Sequence, residues 1–200
     1  MKLFLKETKL SDKEEIVKMC DELRICDDEY KFEGLNNFKD VTSENFEEFL
    51  TKLEENKHIE DINPNYANQT TYILTDENQH VYGAGNLRHN LKGNLINIGG
   101  HIGYAMRPSE RGKGYGKKQL LLFLQKAKKM GIDKALLTCR ENNIASARVI
   151  EKCYGEKDYS VPSMYEGIME SRYWIDINYA LDKEGEVNEN NESKESNKRL

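Results

Sequence analysis

A glycine-rich stretch from Arg111 to Gly116 constrains this chain more than any other part of its sequence. Its three glycines, Gly112, Gly114 and Gly116, stand at alternate positions, and an apolar run follows them. Glycine adopts positive φ and carries no Cβ, so successive amide N–H groups can turn towards one bound anion. The stretch therefore predicts a loop that opens a helix and binds a phosphate-rich ligand at the helix N-terminus. Four basic residues add positive charge around it: Arg111, Lys113, Lys117 and Lys118.

Two well-known phosphate-binding loops do not fit this stretch. A Walker loop requires G-x-x-x-x-G-K-[ST], but Arg111 stands at the first glycine position and Lys118 at the hydroxyl position. The dinucleotide-binding pattern G-x-G-x-x-G fails as well. Its last glycine position is occupied by Lys117 when the pattern starts at Gly112, and by Gln119 when it starts at Gly114. The pattern that does fit is [QR]-x-x-G-x-[GA], with Arg111, Gly114 and Gly116 at the fixed positions.

Length and composition indicate a single soluble domain. The chain has 200 residues, which is enough for one domain with a substantial core. The amino terminus is too charged for a signal peptide, and the longest apolar run, Leu120 to Leu124, is too short to span a bilayer. The four cysteines form no C-x-x-C pair, so we expect reduced, buried thiols and no metal site. We therefore expect a cytoplasmic protein, with one domain over residues 1–182 and a polar, disordered tail over residues 183–200.

The net charge of −5 hides an asymmetry between two parts of the chain. Residues 1–62 hold 18 Asp and Glu against 10 Lys and Arg, whereas residues 86–155 hold 4 against 14. The basic part contains the glycine loop, which suits a polyanionic cofactor, and the acidic part can attract a cationic acceptor. For most of the acidic side chains, a solvated helix face is the simpler interpretation.

Hydrophobic periodicity gives the order β-α-α-β-β-β-α-β-α-β-β, which places a mixed sheet between helices. The first helix carries an apolar stripe that includes Cys20. A second stripe, from Phe46 to Leu53, forms either core or the wall of an acceptor pocket, and core is the commoner arrangement. Residues 94–107 are predicted as one long strand, interrupted by glycines that indicate a bulge or a close backbone approach. Asn142 or Asn143 is expected to cap the helix that follows the next strand.

The flanks of the glycine loop resemble those of a known family. The segment Gly100 to Arg111, GHIGYAMRPSER, is similar to the strand and loop of GNAT N-acetyltransferases. Asn143 and Ser146 match the N-x-x-S helix of that family, and Lys9 to Leu23 resembles its first strand and helix. The resemblance covers roughly residues 3–181. It implies the GNAT acyl-CoA N-acyltransferase fold, an α/β protein with a central mixed β-sheet flanked by helices.

The resemblance also implies how acetyl-CoA, the acetyl donor, is bound. The strand before the loop would offer backbone groups to the pantetheine arm, and the loop amides would hold the pyrophosphate. The N-x-x-S helix would contact the cofactor near its thioester end. The implied cofactor-binding residues are Tyr104, Ala105, Met106, Arg111, Gly112, Lys113, Gly114, Tyr115, Gly116, Lys117, Asn143 and Ser146.

The expected reaction is direct attack of a free amine on the thioester carbonyl, with no covalent enzyme intermediate. A lysine-like amine is neutral in only about one molecule per 2,500 at pH 7, which costs about 4.6 kcal/mol before any bond forms. A base is therefore needed, and His101 is the candidate, two residues before Gly103, where many GNAT members carry a glutamate. The alternative is a core histidine that is hydrogen-bonded to the backbone, and position alone does not decide between the two.

The expected general acid is missing from its usual place. In the family a tyrosine late in the N-x-x-S helix protonates the departing thiolate, but here Ile150 stands at that position. Either water or another tyrosine donates the proton, or the protein has lost activity. The nearby candidates are Tyr154, Tyr159 and Tyr165, and Tyr154 is our first choice.

The leading hypothesis is therefore an N-acetyltransferase that acts on a primary amine of a small molecule or peptide. A catalytically silent CoA-binding or regulatory module is the alternative. Nucleic acid and membrane partners are not expected, since the basic charges surround one glycine loop without interleaved aromatic residues. We consider a homodimer as the oligomeric state of the protein. The segment from Asp27 to Asn68 is expected to shape the acceptor site.

Overall fold

Two antiparallel β-sheets form the centre of the protein. The computed structural model describes residues 2–28, 31–163 and 166–185. The first sheet has the order β1-β2-β3-β4 and the second has the order β5-β7-β6. The strands are β1 (Phe4–Glu7), β2 (Gln69–Thr75), β3 (Val81–Arg88), β4 (Ile102–Met106), β5 (Lys134–Arg140), β6 (Glu156–Pro162) and β7 (Met169–Asp176).

Helices pack on both faces of the first sheet. The helices of the chain are α1 (Lys13–Ile25), α2 (Phe46–Glu55), α3 (Ile59–Ile62), α4 (Tyr115–Lys129), α5 (Ile144–Lys152) and α6 (177–185). Apart from α3 and α6, which were not predicted, their order along the chain agrees with the periodicity of the sequence, and the α/β fold class is confirmed. The described strands form two sheets with antiparallel pairing, in place of the one mixed sheet that was expected. The predicted tail 183–200 lies outside the described residues from 186 onwards, and residues 183–185 continue α6. Within the described residues, no helix combines the length and apolarity that crossing a bilayer requires.

Two hydrophobic clusters pack on opposite faces of the first sheet. One contains apolar residues of β1 to β5, β7, α4 and α5, and the other contains the stripes of α1 and α2. Cys20 is fully buried in the second cluster, and Phe46 and Phe49 lie beside it. The two rings are 5.5 Å apart between centroids. The stripe from Phe46 to Leu53 is therefore core, and each fully buried side chain of this size contributes about 1.5–3 kcal/mol.

The long strand predicted over residues 94–107 is wrong. Residues 93–96 form a single 3₁₀ turn, and β4 contains only Ile102–Met106. Gly99 and Gly100 have φ of 101° and 58°, which break the extended backbone. A Cβ on Gly100 would collide with the carbonyl of Leu136. The glycines therefore mark a close approach between this turn and β5. Of the two predictions made for them, a bulge or a close backbone approach, the second is correct.

The two sheets meet at one point and then separate. His101 N–H donates to the Leu136 carbonyl (2.7 Å), and Gly99 N–H donates to Thr138 Oγ1 (2.9 Å). Beyond this junction β4 and β5 belong to different sheets, so a cleft opens between them. Helix α4 connects the two strands, and its N-terminus follows the glycine loop at the end of β4.

Candidate active site

Two of the three glycines of the loop have the positive φ that the sequence predicts, whereas Gly116 lies within α4. Gly112 and Gly114 have φ of 77° and 85°, and Gly114 precedes the first residue of α4, Tyr115. A Cβ at either glycine would meet nothing, so the positive φ is what requires glycine there. The first N–H groups of α4 have no acceptor within the helix, so they are available to an anion at the exposed loop.

The basic side chains of the loop are held by acidic partners. Arg111 pairs with Asp28 at 3.1 Å and also donates to the Met106 carbonyl at 3.3 Å. Lys113 pairs with Glu110 at 3.0 Å, and Lys117 pairs with Glu184 at 2.5 Å. These contacts fix the outline of the loop, so a pyrophosphate here would be bound mainly by backbone N–H groups, with the cations supplying a favourable field.

A buried arginine attaches the start of the loop to α1. Arg107 is 6 % exposed and pairs with Glu22 at 2.6 Å and with Glu15 at 2.8 Å. Glu22 also accepts a hydrogen bond from Ser109 N–H at 3.1 Å. Burial acts to raise the pKa of Glu15, but hydrogen bonds from Arg107 and Lys18 outweigh it and leave this pKa below its ordinary value. The end of β4 is therefore held rigidly where the loop begins.

A cavity of about 330 Å³ lies at the cleft between β4 and β5. Three of the predicted cofactor residues, Tyr104, Asn143 and Ser146, line it together. The facing wall comes from the segment that follows α1. The remaining lining residues are Glu33, Gly34, Asn36, Asn37, Gln69, Asn86, Arg88, Leu95, Ile98, Gly99, Ile102, Gly103, Leu137, Thr138, Cys139 and Glu170. Its volume is at the lower end of the range for small-molecule sites.

The predicted residues of β4 pair with the glycine-rich strand β3. Tyr104, Ala105 and Met106 lie opposite Gly85, Ala84 and Gly83 in the antiparallel register. Tyr104 and Met106 pack towards the cluster of α4 and α5, and Ala105 packs towards the cluster of α1 and α2. Side chains of β4 therefore occupy both faces of the sheet, and its remaining edge lies at the cleft.

Helix α5 brings a cap and a hydroxyl group to the cavity. The Asn143 side-chain oxygen accepts a hydrogen bond from Ser146 N–H at 3.0 Å, which confirms the predicted N-cap. Tyr104 and Cys139 both lie beside Ser146. Burial raises the pKa of the Tyr104 phenol, and it raises the pKa of the Cys139 thiol to about 11, so both groups stay neutral at pH 7. Cys139 is therefore no activated nucleophile.

The surroundings of His101 favour a structural role in the core over the role of catalytic base. Its Nδ1 accepts a hydrogen bond from Leu136 N–H at 3.0 Å, and the ring is 8 % exposed. Burial, and then the charge of Arg88, lower the pKa of His101 to about 4. The neutral ring therefore carries its proton on Nε2 and has no nitrogen left to accept one from an amine. Among the described residues, His101 is also not part of the cavity wall.

The candidate tyrosines occupy different places. Tyr154 follows α5 with φ of 64°, and its ring packs edge to face on Tyr179, 5.6 Å away. Tyr159 is 52 % exposed and stacks on Arg172. Tyr165 lies outside the described residues. Tyr104 is the one tyrosine that lines the cavity in the part of the chain that the structure describes.

Four charged residues of the site were not predicted from the sequence, and one of them is Arg88, which lines the cavity. Glu33 and Glu170 line the cavity, and the fully buried Arg140 lies between them. The distance from Arg140 Nη2 to Glu33 Oε1 is 2.6 Å, and that from Arg140 Nε to Glu170 Oε1 is 4.0 Å. The available signal was charge at strand positions, since Arg140 ends the buried strand β5 and Glu170 is the second residue of β7. In the described residues, no cluster of His, Cys, Asp or Glu is suited to a metal ion.

The comparisons with known proteins agree with this geometry. The family model described as the acetyltransferase (GNAT) domain matches residues 2–154. No curated protein matches the chain. The spermidine N-acetyltransferase of Vibrio cholerae, solved with CoA and spermine, is 19 % identical with a TM-score of 0.61, over 90 % of this chain and 98 % of that one. RimL, the ribosomal L7/L12 alpha-N-protein acetyltransferase solved with CoA, is 18 % identical with a TM-score of 0.62, over 88 % and 95 %.

A loop that presents helix N–H groups beside a cleft between two sheets defines an acyl-CoA-dependent transferase. The chain belongs to the GNAT acetyltransferase family. It is an N-acetyltransferase that uses acetyl-CoA as its acetyl donor, and the silent CoA-binding module is not favoured. The likeness to the solved structures is one of fold.

Proposed function

We propose that this enzyme acetylates a primary amine of a small molecule or of a peptide end, and that the amine enters the 330 Å³ cavity. The observation that carries the proposal is the composition of the cavity wall. One side holds Tyr104, which the family resemblance assigns to the pantetheine arm, and Asn143 and Ser146, which it assigns to the thioester end. The other side holds the segment 33–37, which no predicted donor contact uses.

The positions of the glycine loop and of the β4 edge are compatible with binding of acetyl-CoA. The turned N–H groups of Gly112 to Lys117 would hold the pyrophosphate, and the free edge of β4 would receive the pantetheine arm. Acetyl-CoA supplies an acetyl group activated as a thioester. The chain supplies the positioning, because the cavity brings an acceptor to the predicted thioester end. No side chain is required to form a covalent intermediate.

His101 and Tyr154 stay predictions as catalytic groups, and their positions do not support them. The His101 ring is hydrogen-bonded to the backbone, and the Tyr154 ring packs on Tyr179. Replacing Tyr154 with phenylalanine tests the acid role, because loss of a proton donor should lower kcat and leave acetyl-CoA affinity unchanged.

An acceptor screen tests the function. Spermidine, lysine, kanamycin and a short peptide with a free amino terminus are offered with acetyl-CoA, and release of the CoA thiol is followed. We expect turnover with at least one of them. The solved spermidine and ribosomal-protein enzymes span small and protein acceptors, which is why both kinds belong in the panel. Acetyl-CoA binding without turnover of any amine would contradict the proposal.

We also propose that the reaction takes place in the cytoplasm, in keeping with four cysteines that are all free thiols. The predicted homodimer would be tested by sedimentation equilibrium.

A further inference from the structure

The cavity needs a group that takes a proton from the acceptor. A protonated amine has no lone pair for the thioester carbonyl, and the nearby histidine uses its acceptor nitrogen on Leu136 N–H. Two carboxylates, Glu33 and Glu170, are the acidic groups in the cavity wall of the described chain. They therefore become the candidates for this step.

The two carboxylates differ in access. The Glu170 side chain is 6 % exposed, and its Oε1 accepts a hydrogen bond from Ser163 Oγ at 2.9 Å. The Glu33 side chain is 35 % exposed and lies on the segment that forms the outer wall of the cavity. An incoming amine can therefore reach Glu33, and a proton can leave it for solvent.

Glu33 is held in place on both sides. Behind it, Arg140 is fully buried and pairs with the carboxylate at 2.6 Å. Beside it, Gly34 has φ of 78° and lies so close to β4 that a Cβ there would stand 2.8 Å from Tyr104 N. The Asn86 amide donates to the Gly34 carbonyl at 3.0 Å. The backbone that carries Glu33 is thus fixed against the strand that lines the cleft.

The charges around Glu33 favour a protonatable carboxylate. Burial raises the pKa of Glu33, the negative charges of Glu170 and Asp28 act in the same direction, and Arg140 opposes them without cancelling the effect. Arg88 on β3 lines the same cavity, while Cys139 and Tyr104 are neutral there. A carboxyl group with a raised pKa is the better proton acceptor, because its affinity for a proton lies nearer to that of the amine.

We propose that Glu33 is the catalytic base of this enzyme: its carboxylate binds the acceptor ammonium in the cavity and takes its proton. The amine nitrogen then forms the C–N bond to the acetyl carbon, and the C–S bond breaks. The second N–H proton, lost as the amide forms, goes to the departing sulfur, and Glu33 releases the first proton to water. The inference rests on the proposed function, and it adds that the acceptor arrives as a cation.

Glu33→Gln tests the base, with Asp40→Asn as its control. Asp40 is exposed in the same connecting segment, and its replacement removes the same charge outside the cavity. The probe is the amine of the four-member panel that turns over fastest. We expect Glu33→Gln to lower kcat/KM at pH 7 by about 100-fold or more, and to regain activity as the pH approaches the pKa of the amine. Acetyl-CoA affinity, measured by calorimetry, should be unchanged in both variants, and Asp40→Asn should keep wild-type turnover.

The possible outcomes separate the two proposals. If Glu33→Gln turns over like wild type with the same acidic limb, Glu33 is not the base, while the proposed function stands. If the wild-type chain binds acetyl-CoA but acetylates no amine, both are wrong. If Glu33→Gln loses acetyl-CoA binding because it misfolds, Glu33→Asp is tested in its place. The shorter side chain keeps a negative charge beside Arg140 but moves the carboxylate away from the amine. A folded Glu33→Asp with wild-type kcat/KM would then overturn the inference.

Discussion

The glycine loop and the cavity, which we propose as the donor site and the acceptor site, are assembled in different ways. The loop is one continuous stretch, Arg111 to Gly116, whose shape follows from positive φ at Gly112 and Gly114. The charged part of the cavity combines Glu33, Arg140 and Glu170, which come from three distant parts of the chain. The family model matches through residue 154, so it includes the loop and ends before Glu170. The donor half is thus a local motif and the acceptor half is a tertiary arrangement, and each responds differently to mutation.

The largest effect is expected in the acceptor half, from Arg140→Met. This change removes the cation that lies between the partly exposed Glu33 and the buried Glu170 and leaves both carboxylates without it. Loss of one partner from a buried ion pair typically costs about 3–5 kcal/mol. We expect the free energy of unfolding, measured by urea denaturation, to fall by about that amount at pH 7. The loss should shrink at low pH, where the carboxyl groups become neutral. A change below about 1 kcal/mol at pH 7 would contradict the role given to Arg140.

The second-largest effect is expected at the junction between β4 and β5, where His101 is buried. Its pKa is lowered to about 4, whereas an unfolded histidine titrates near 6.5. Between these values the unfolded chain binds a proton that the folded chain does not, so stability falls as the pH drops from about 6.5 to about 4. The loss can reach about 3 kcal/mol. Below that window both states are protonated and the His101 contribution is constant.

His101→Gln separates this effect from other titrations. Urea denaturation between pH 4 and 7 should show a shallower pH dependence in the variant than in wild type. His58→Gln is the control, since it removes an exposed histidine outside the junction. A catalytic His101 would instead leave stability unchanged and remove a limb of the pH–rate profile.

A smaller effect is expected in the donor half, from Gly114→Val. A side chain with a Cβ in the left-handed region costs about 1–2 kcal/mol, and Gly114 has φ of 85°. The exposed loop should relax away from this conformation, and acetyl-CoA should bind about tenfold more weakly. Gly131→Val is the matched control, because Gly131 has φ of 80° and equally open surroundings at the far end of α4. Equal acetyl-CoA affinities in the two variants would show that loop conformation does not matter for binding.

The same contrast explains what the sequence could predict. Two of the three alternating glycines, the Asn143 cap and the apolar stripe around Cys20 report on neighbouring residues, and the structure has each of them as expected. The extent of β4 was wrong because Gly99 and Gly100 turn the chain to approach β5, which is a long-range contact. The ion pair of Glu33 could not be predicted for the same reason, since its partner Arg140 lies 107 positions away in the sequence. Pairing between distant segments leaves no periodic signal in either of them.

The smallest effect tests how the donor loop binds its anion. Arg111 has the charge expected of a phosphate ligand, but it is paired with Asp28 at a partly exposed position. Surface ion pairs contribute about 0–1 kcal/mol, so Arg111→Ala should change the free energy of unfolding by less than that. If backbone N–H groups hold the pyrophosphate, acetyl-CoA affinity measured by calorimetry should fall only about threefold, and the difference should vanish at high salt. A loss of 100-fold or more would mean that the Arg111 side chain leaves Asp28 and binds the phosphate directly. The donor half would then depend, like the acceptor half, on a charged side chain whose partner comes from a distant segment.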